Sequence, residues 1–238
     1  MKTLMYIHGY GSTGEAFKAK ELHAMFPDAP LVAPTFDYDS LSPNDVFAQL
    51  RALISDKKPD LVVGSSLGGY YALCCTSFFE GAVWCVNPVR DILATLQRLG
   101  TDKAAADLIA QRTKEYRDFD QTVFQQLNPR TGQLHFALST DDELLGDHRP
   151  LLTLFPNYGG VVWKDHCGHR FLRFNELKEE IAHSLIVFDK PGVAKVERET
   201  NLFDPPKPGN VDEVNADKLA CMLRRENDGC EETNQEPL

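Results

Sequence analysis

The sequence predicts an α/β fold with a mostly parallel central sheet and helices on both faces. Short apolar runs rich in Val, Leu and Ile recur along the chain, and stretches with helical spacing of apolar residues separate them. Strands buried on both faces read as continuous apolar runs, and their alternation with helices is typical of parallel sheets. With 238 residues, of which 42% are hydrophobic, the chain can bury one substantial core, so one main domain is expected.

Six apolar runs are the predicted strands, in the order 3–8, 30–35, 60–65, 81–88, 134–140 and 159–165. Between most of them the apolar residues follow a helical period, for example from Val46 to Ile54 and from Leu67 to Phe79.

The longest interval between predicted strands, residues 90–133, has helical patterns instead of loop composition. A long insertion with its own helices is commonly functional. We therefore expect a small helical cap at about 90–133, placed over a site in a main domain that spans 1–189. The alternative is that these helices extend the scaffold.

Residues 190–238 are predicted to form a polar tail outside the main domain, because they are rich in proline and carry one aromatic residue, Phe203. Within the tail, apolar residues from Val211 to Leu223 fall on one helical face, and Asn210 can cap the start. This pattern predicts a short helix at about 211–225, whose protein partner is unknown.

The formal net charge of −10 argues against nucleic acid or an anionic membrane as the principal partner and favours a small-molecule substrate. No apolar run approaches the ~20 residues of a membrane helix, and the first residues lack a signal-peptide pattern. The six cysteines show no C-x-x-C spacing, which is typical of buried thiols in a reducing compartment. A cytoplasmic location is the expectation.

The candidate nucleophile lies in the stretch from Gly64 to Gly68, which matches G-x-S-x-G with Ser66 at its centre. An apolar strand precedes it and a helical stretch follows, which is the context of a tight strand-to-helix turn that exposes the central serine. The same turn aims the backbone N–H of Leu67 at negative charge that develops on a substrate. Ser65 is a small residue that the turn tolerates.

A serine of this kind needs a histidine base and an acid, both further along the chain. The run 134–140 ends in Asp141, Asp142 and Glu143, at the edge of the sheet where such sites form. Position alone leaves both aspartates open, with Asp147 as an outside alternative.

Two histidines follow the last predicted strand, His166 and His169. His169 is favoured, because it follows a glycine and precedes a helix, whereas His166 is close to the strand end. Cys167 lacks such a context and is expected to be a packed thiol. Four further histidines also lack it and are expected to be surface or core residues: His23, His135, His148 and His183.

The loop after the first strand, His8 to Gly11, can supply a second oxyanion donor, the N–H of Tyr10, with His8 bracing the loop. It lacks the spacing of a dinucleotide-binding loop, and no His or Cys cluster has metal-ligand spacing. No metal or organic cofactor is expected.

Together, the stretches YIHGYGST, VVGSSLGGYYA, VNPVRD, TDDELL and GHRF resemble the small YqiA/YcfP-type esterases of the α/β-hydrolase superfamily over about residues 1–188. The resemblance implies an α/β-hydrolase fold, with Ser66 as nucleophile, Asp142 as acid and His169 as base. It also implies oxyanion donors at Tyr10 and Leu67.

The implied activity is hydrolysis of a small carboxylic ester through an acyl-enzyme. The alternatives are an acyl-CoA thioesterase and a non-catalytic binding protein on the same fold. Asp141 stands where the family has glycine, and the tail after residue 189 lies beyond the resemblance.

Overall fold

The central sheet has six parallel strands in the part of the chain that the computed structural model describes, residues 2–99 and 106–187. The strands are β1 (Leu4–Ile7), β2 (Leu31–Val32), β3 (Leu61–Ser65), β4 (Ala82–Val86), β5 (Leu134–Ser139) and β6 (Gly160–Lys164). Their order across the sheet is β2-β1-β3-β4-β5-β6, and each neighbouring pair is parallel. The predicted parallel α/β sheet is confirmed.

Helices connect these strands. They are α1 (Phe17–Met25), α2 (Pro43–Lys57), α3 (Leu67–Cys75), α4 (Ile92–Leu99), α5 (Ala106–Thr122), α6 (Arg149–Leu154) and α7 (Lys178–Val187). Short 3-10 turns occur at Phe124–Gln126 and Phe174–Leu177. Within the described ranges, no helix combines the length and apolarity needed to cross a membrane.

Each predicted apolar run contains one strand. Strand β2 covers the smallest part of its predicted run. The run 30–35 forms a strand only at Leu31–Val32. Pro30 and Pro34 flank it, and proline has no N–H to donate to a sheet ladder, so pairing stops there.

Both faces of the sheet are buried, as strand β1 shows. Leu4 and Tyr6 pack into one apolar cluster, whereas Met5 and Ile7 pack into another on the opposite face. Because successive side chains of a strand point to opposite faces, a continuous apolar run is needed to fill both clusters. The predicted placement of helices on both faces is confirmed.

Helix α2 begins at a reciprocal cap. The N–H of Asp45 donates to the Ser42 hydroxyl at 3.2 Å, and the N–H of Ser42 donates to the Asp45 carboxylate at 3.2 Å. Pro43 occupies the first turn, where its missing N–H costs no helical bond. These bonds define where the chain turns from the loop into the helix.

The interval between β4 and β5 contains the predicted helices, α4 and α5. Tyr116 and Phe119 of α5 are buried in the same apolar cluster as the tyrosines of α3, and the Tyr116 and Tyr71 hydroxyls are 2.9 Å apart. This part of α5 therefore belongs to the core. The role of the segment as a cap stays a prediction, and the tail with its helix at 211–225 lies outside the described residues.

Helix α3 packs unusually close to the strands beneath it. A Cβ atom added at Gly68 would lie 2.2 Å from the carbonyl oxygen of Ile7 and 2.4 Å from that of His8. One added at Gly64 would lie 2.2 Å from the Gly68 carbonyl oxygen. Glycine at these positions allows the start of α3 to touch the ends of β1 and β3.

We expect Gly68→Ala to lower the free energy of unfolding by at least ~3 kcal/mol, because the added methyl group meets two backbone carbonyls that cannot rotate away. Urea denaturation followed by circular dichroism measures the change. Gly146→Ala is the control: Gly146 has a φ of 73° but no atom near its added Cβ, so strain alone should cost about 1–2 kcal/mol. Equal losses in the two variants would contradict the packing argument.

Candidate active site

Three of the residues singled out from the sequence meet at the carboxyl edge of the sheet. Ser66 directly follows β3, Asp142 lies in the loop after β5, and His169 lies in the loop after β6. All three are less than a tenth exposed. The ends of parallel strands lie along one edge, which is where open α/β sheets form their sites.

A continuous hydrogen-bonded chain joins the three side chains. The Ser66 Oγ lies 2.9 Å from His169 Nε2, and His169 Nδ1 lies 3.0 and 3.1 Å from the two carboxylate oxygens of Asp142. An ionised carboxylate can only accept, so Nδ1 carries the proton and Nε2 is free to accept from the serine. The imidazole is therefore in the tautomer that a general base requires.

The turn that presents Ser66 is strained. Its φ is 53° and its ψ is −120°, in a region that non-glycine residues rarely adopt and that costs ~1–3 kcal/mol. Backbone bonds compensate: the Ser66 N–H donates to the Val86 carbonyl at 3.0 Å, and its own carbonyl accepts from Val89 at 3.0 Å. The end of β4 thus locks the turn in place.

Ser65 has a different role. Its hydroxyl lies 2.9 Å from the Tyr6 hydroxyl on β1. Ser65 therefore ties β3 to β1, whereas Ser66 faces the histidine.

The Asp142 carboxylate is fully buried and accepts four bonds. Its Oδ1 accepts the N–H groups of Leu144 and Leu145 at 3.0 and 2.8 Å, and its Oδ2 accepts His148 Nε2 at 2.9 Å, besides the bond from His169. Burial alone raises the pKa of Asp142, but attraction to His169 and the hydrogen bonds from both histidines outweigh it. The pKa lies well below its ordinary value, so the group is ionised.

The two acidic neighbours of Asp142 bind the loop that carries His169. Asp141 accepts the N–H groups of Cys167 and Gly168, both at 3.1 Å, and Glu143 accepts the N–H of His169 at 2.8 Å. Both residues thus contact the backbone of this loop, while Asp142 contacts the ring. Of the two aspartates that spacing left open, Asp142 is the one that reaches the imidazole.

Asn87 braces the same loop from β4. It is fully buried with a φ of 39°, and its amide N–H groups donate to the carbonyls of Gly168 and His169, both at 3.0 Å. Its Oδ1 accepts the N–H of Ser139 at 2.7 Å. Sequence reasoning assigned it no role; the signal that could have found it is an asparagine directly after a buried strand at the active edge.

The rejected alternatives lie elsewhere. His166 and Asp147 are both exposed, and Asp147 accepts a bond from Arg149 at 2.9 Å. Cys167 is a buried thiol, as expected, and burial raises its pKa. His148 is buried, which agrees with the expectation of a surface or core residue, and the structure adds a contact with Asp142 that the sequence did not indicate.

The loop after β1 lies against Ser66. A Cβ added at Gly9 would be 3.2 Å from the Ser66 Cβ and 3.7 Å from its Oγ. Tyr10, the residue with the predicted second oxyanion donor, comes next in the chain and donates its hydroxyl to Asp39 at 2.5 Å. Leu67, with the first predicted donor, is the first residue of α3.

His8 braces this loop, as its sequence context predicts. Its Nδ1 bonds the Gly9 carbonyl at 2.7 Å, its Nε2 accepts the N–H of Phe36 at 2.8 Å, and its own carbonyl accepts the Tyr38 hydroxyl at 2.8 Å. Both ring nitrogens are therefore engaged in structural bonds. Across residues 2–99 and 106–187, no group of three or more His, Cys, Asp or Glu side chains is arranged to hold a metal ion.

Comparison with known proteins places the fold. Residues 3–185 match the uncharacterised protein family UPF0227.

Among solved structures, the α/β hydrolase domain-containing protein 10 from mouse has a TM-score of 0.57 at 13% identity, covering 77% of this chain and 89% of that chain. A monoacylglycerol lipase from Paleococcus ferrophilus has a TM-score of 0.55 at 12% identity, covering 79% and 97%. The esterase RhEst1 from Rhodococcus sp. ECU1013 has a TM-score of 0.53 at 13% identity, covering 79% and 91%. The α/β-hydrolase fold expected from the sequence is confirmed.

We expect Asn87→Asp to lower the free energy of unfolding by about 2–4 kcal/mol, because the new carboxylate faces two carbonyl oxygens that have lost their donors. Urea denaturation measures the loss. Asn44→Asp in the exposed first turn of α2 is the matched control and should stay within ~0.5 kcal/mol of wild type. If both variants were equally stable, the bracing role of Asn87 would be wrong.

Proposed function

The chain belongs to the UPF0227 family, and we propose that it is a serine hydrolase that cleaves small carboxylic esters through an acyl-enzyme. The observation that carries the proposal is the unbroken chain from the Ser66 hydroxyl through His169 to the buried Asp142 carboxylate. A lipase and an esterase are among the proteins that share the fold, which supports ester hydrolysis as the reaction.

In the first step, His169 takes the proton of Ser66 while Oγ attacks the ester carbonyl carbon. Nε2 lies at hydrogen-bond distance from Oγ, so the transfer needs no rearrangement of the ring. The imidazolium that forms is stabilised by the Asp142 carboxylate, which remains ionised. His169 then gives the proton to the leaving alkoxide, and the acyl group stays on Ser66.

The negative charge on the carbonyl oxygen needs donors of its own. We assign this role to the N–H of Leu67, at the start of α3, and to the N–H of Tyr10, in the loop that packs against Ser66. The positive end of the α3 dipole reinforces the first donor. Tyr10 is tied by its hydroxyl to Asp39, which steadies the second.

Water completes the cycle by attacking the acyl-enzyme, with His169 again as the base. The same atoms suit a thioester, whose leaving group differs only in sulfur replacing oxygen. The natural acyl group and the choice between ester and thioester depend on the walls of the acyl pocket.

Ser66→Ala should lower kcat for short p-nitrophenyl esters by several orders of magnitude, on the ~10⁶-fold scale of broken triads. It should also abolish covalent labelling by a fluorophosphonate probe. Ser65→Ala is the matched control: it loses only the contact with the Tyr6 hydroxyl and should keep kcat within about tenfold of wild type. An acyl-CoA substrate in the same assay compares the two leaving groups. A wild-type chain that neither labels nor hydrolyses would support the non-catalytic alternative.

Asp142→Asn should reduce kcat by about 10⁴-fold, because an amide that donates to Nδ1 holds the imidazole in the wrong tautomer. Asp147→Asn is the matched control: this exposed carboxylate directly precedes His148 in the chain and bonds Arg149, so its loss should leave the rate near wild type. Steady-state kinetics on one ester measures both. A larger loss in the Asp147 variant would reassign the acid.

A further inference from the structure

We propose that His148 is a positioning residue of the triad, which donates its Nε2–H to Asp142 and thereby fixes the carboxylate that orients His169. The role rests on the proposed function, since it acts through the acid of the same site. No feature of the sequence around His148 suggested it, and its ring becomes relevant only where the fold brings it to Asp142.

The carboxylate of Asp142 has a separate anchor on each oxygen. The N–H groups of Leu144 and Leu145 bind Oδ1, and His148 binds Oδ2. His169 Nδ1 lies almost equally far from the two oxygens, at 3.1 and 3.0 Å. With both oxygens bonded, the orientation of the carboxylate plane is fixed. With only Oδ1 bonded, the carboxylate can rotate and Oδ2 can change its position. His148 therefore supplies the second point that aims the group at His169.

The position of His148 is well suited to this task. Its ring is 3% exposed, and it lies at the start of α6, where its carbonyl accepts the N–H of Leu151 at 3.0 Å. Leu151 is itself fully buried, so the start of this helix is pinned to the core. A buried donor of this kind is difficult for water to replace.

The proton on Nε2 follows from the charge of its partner. Asp142 is ionised and can only accept, so His148 must carry hydrogen on Nε2. The charged groups that face His148 are Asp142 and Asp147, and His169 lies across the Asp142 carboxylate.

Loss of this donor has two chemical consequences. The Asp142 carboxylate gains freedom to rotate, which lowers the fraction of enzyme with the imidazole aligned on Ser66 and so lowers kcat. The bond from the His169 Nδ1–H to the carboxylate also becomes less well directed.

The test compares His148→Met, which has no donor, with His148→Gln, which has similar length and carries an amide N–H near the position of Nε2. We expect His148→Met to lower kcat for a p-nitrophenyl ester by roughly 10-fold or more with KM within about twofold of wild type. The downfield ¹H NMR signal of the His169 Nδ1–H should shift and broaden, because its acceptor is less firmly held. His148→Gln should restore kcat and this signal towards wild type.

The possible results separate this proposal from the function. Unchanged kcat and an unchanged His169 Nδ1–H signal in His148→Met, with an active wild type, would overturn the positioning role alone. A wild type without hydrolysis overturns the function, and the Nδ1–H signal, which needs no substrate, still decides the role of His148. If His148→Met does not fold, the wild-type spectrum decides: an exchange-protected Nε2–H on His148 supports the role, and the Nδ1–H tautomer overturns it.

Discussion

The close contact between the first turn of α3 and the ends of β1 and β3 is the constraint on which the site depends. Gly68 sits against the carbonyls of Ile7 and His8, and this approach bends the chain at Ser66 into a left-handed conformation. One contact therefore sets three features together: the position of the Ser66 hydroxyl, the start of α3 beside it, and the adjacent loop through Gly9. A side chain at Gly68 would force these three features apart. The contact that stabilises the fold here is therefore also the contact that sets the geometry of the site.

The loop that carries His169 illustrates how an irregular segment is made rigid. His166, Gly168 and Phe171 all have positive φ values, so neither a helix nor a strand can satisfy its backbone groups. Side chains from the neighbouring strand ends do so instead: Asp141 and Glu143 accept its N–H groups, and Asn87 donates to its carbonyls. The acidic run after β5 thus provides loop anchors as well as the carboxylate that bonds the imidazole of His169.

The features of the site that are encoded by neighbouring residues could be predicted from the sequence. The features that depend on tertiary contacts could not. The turn around Ser66 is encoded within a few consecutive residues, and the strands are encoded by continuous apolar runs. Asp141 and Asp142 are adjacent in the chain, so spacing cannot tell which one points towards His169; only the fold separates their directions. Asn87 stands at a recognisable place directly after β4, but its partners lie in the loop after β6 and only the fold brings them together. His148 lies in the same loop as Asp142, and the direction of its ring depends on how that loop folds.

Helix α5, in the segment between β4 and β5, contacts two elements next to the site: helix α3 and the loop that contains Asp39. Tyr116 and Phe119 of α5 are buried beside the tyrosines of α3, the helix that follows Ser66. Arg112, one turn earlier, donates to the carbonyl of Asp39, whose carboxylate accepts the Tyr10 hydroxyl. Withdrawing two buried aromatic rings costs about 3 kcal/mol or more. Displacing this part of α5 would therefore also release the loop that contains Tyr10, because Arg112 and Tyr10 are joined through Asp39.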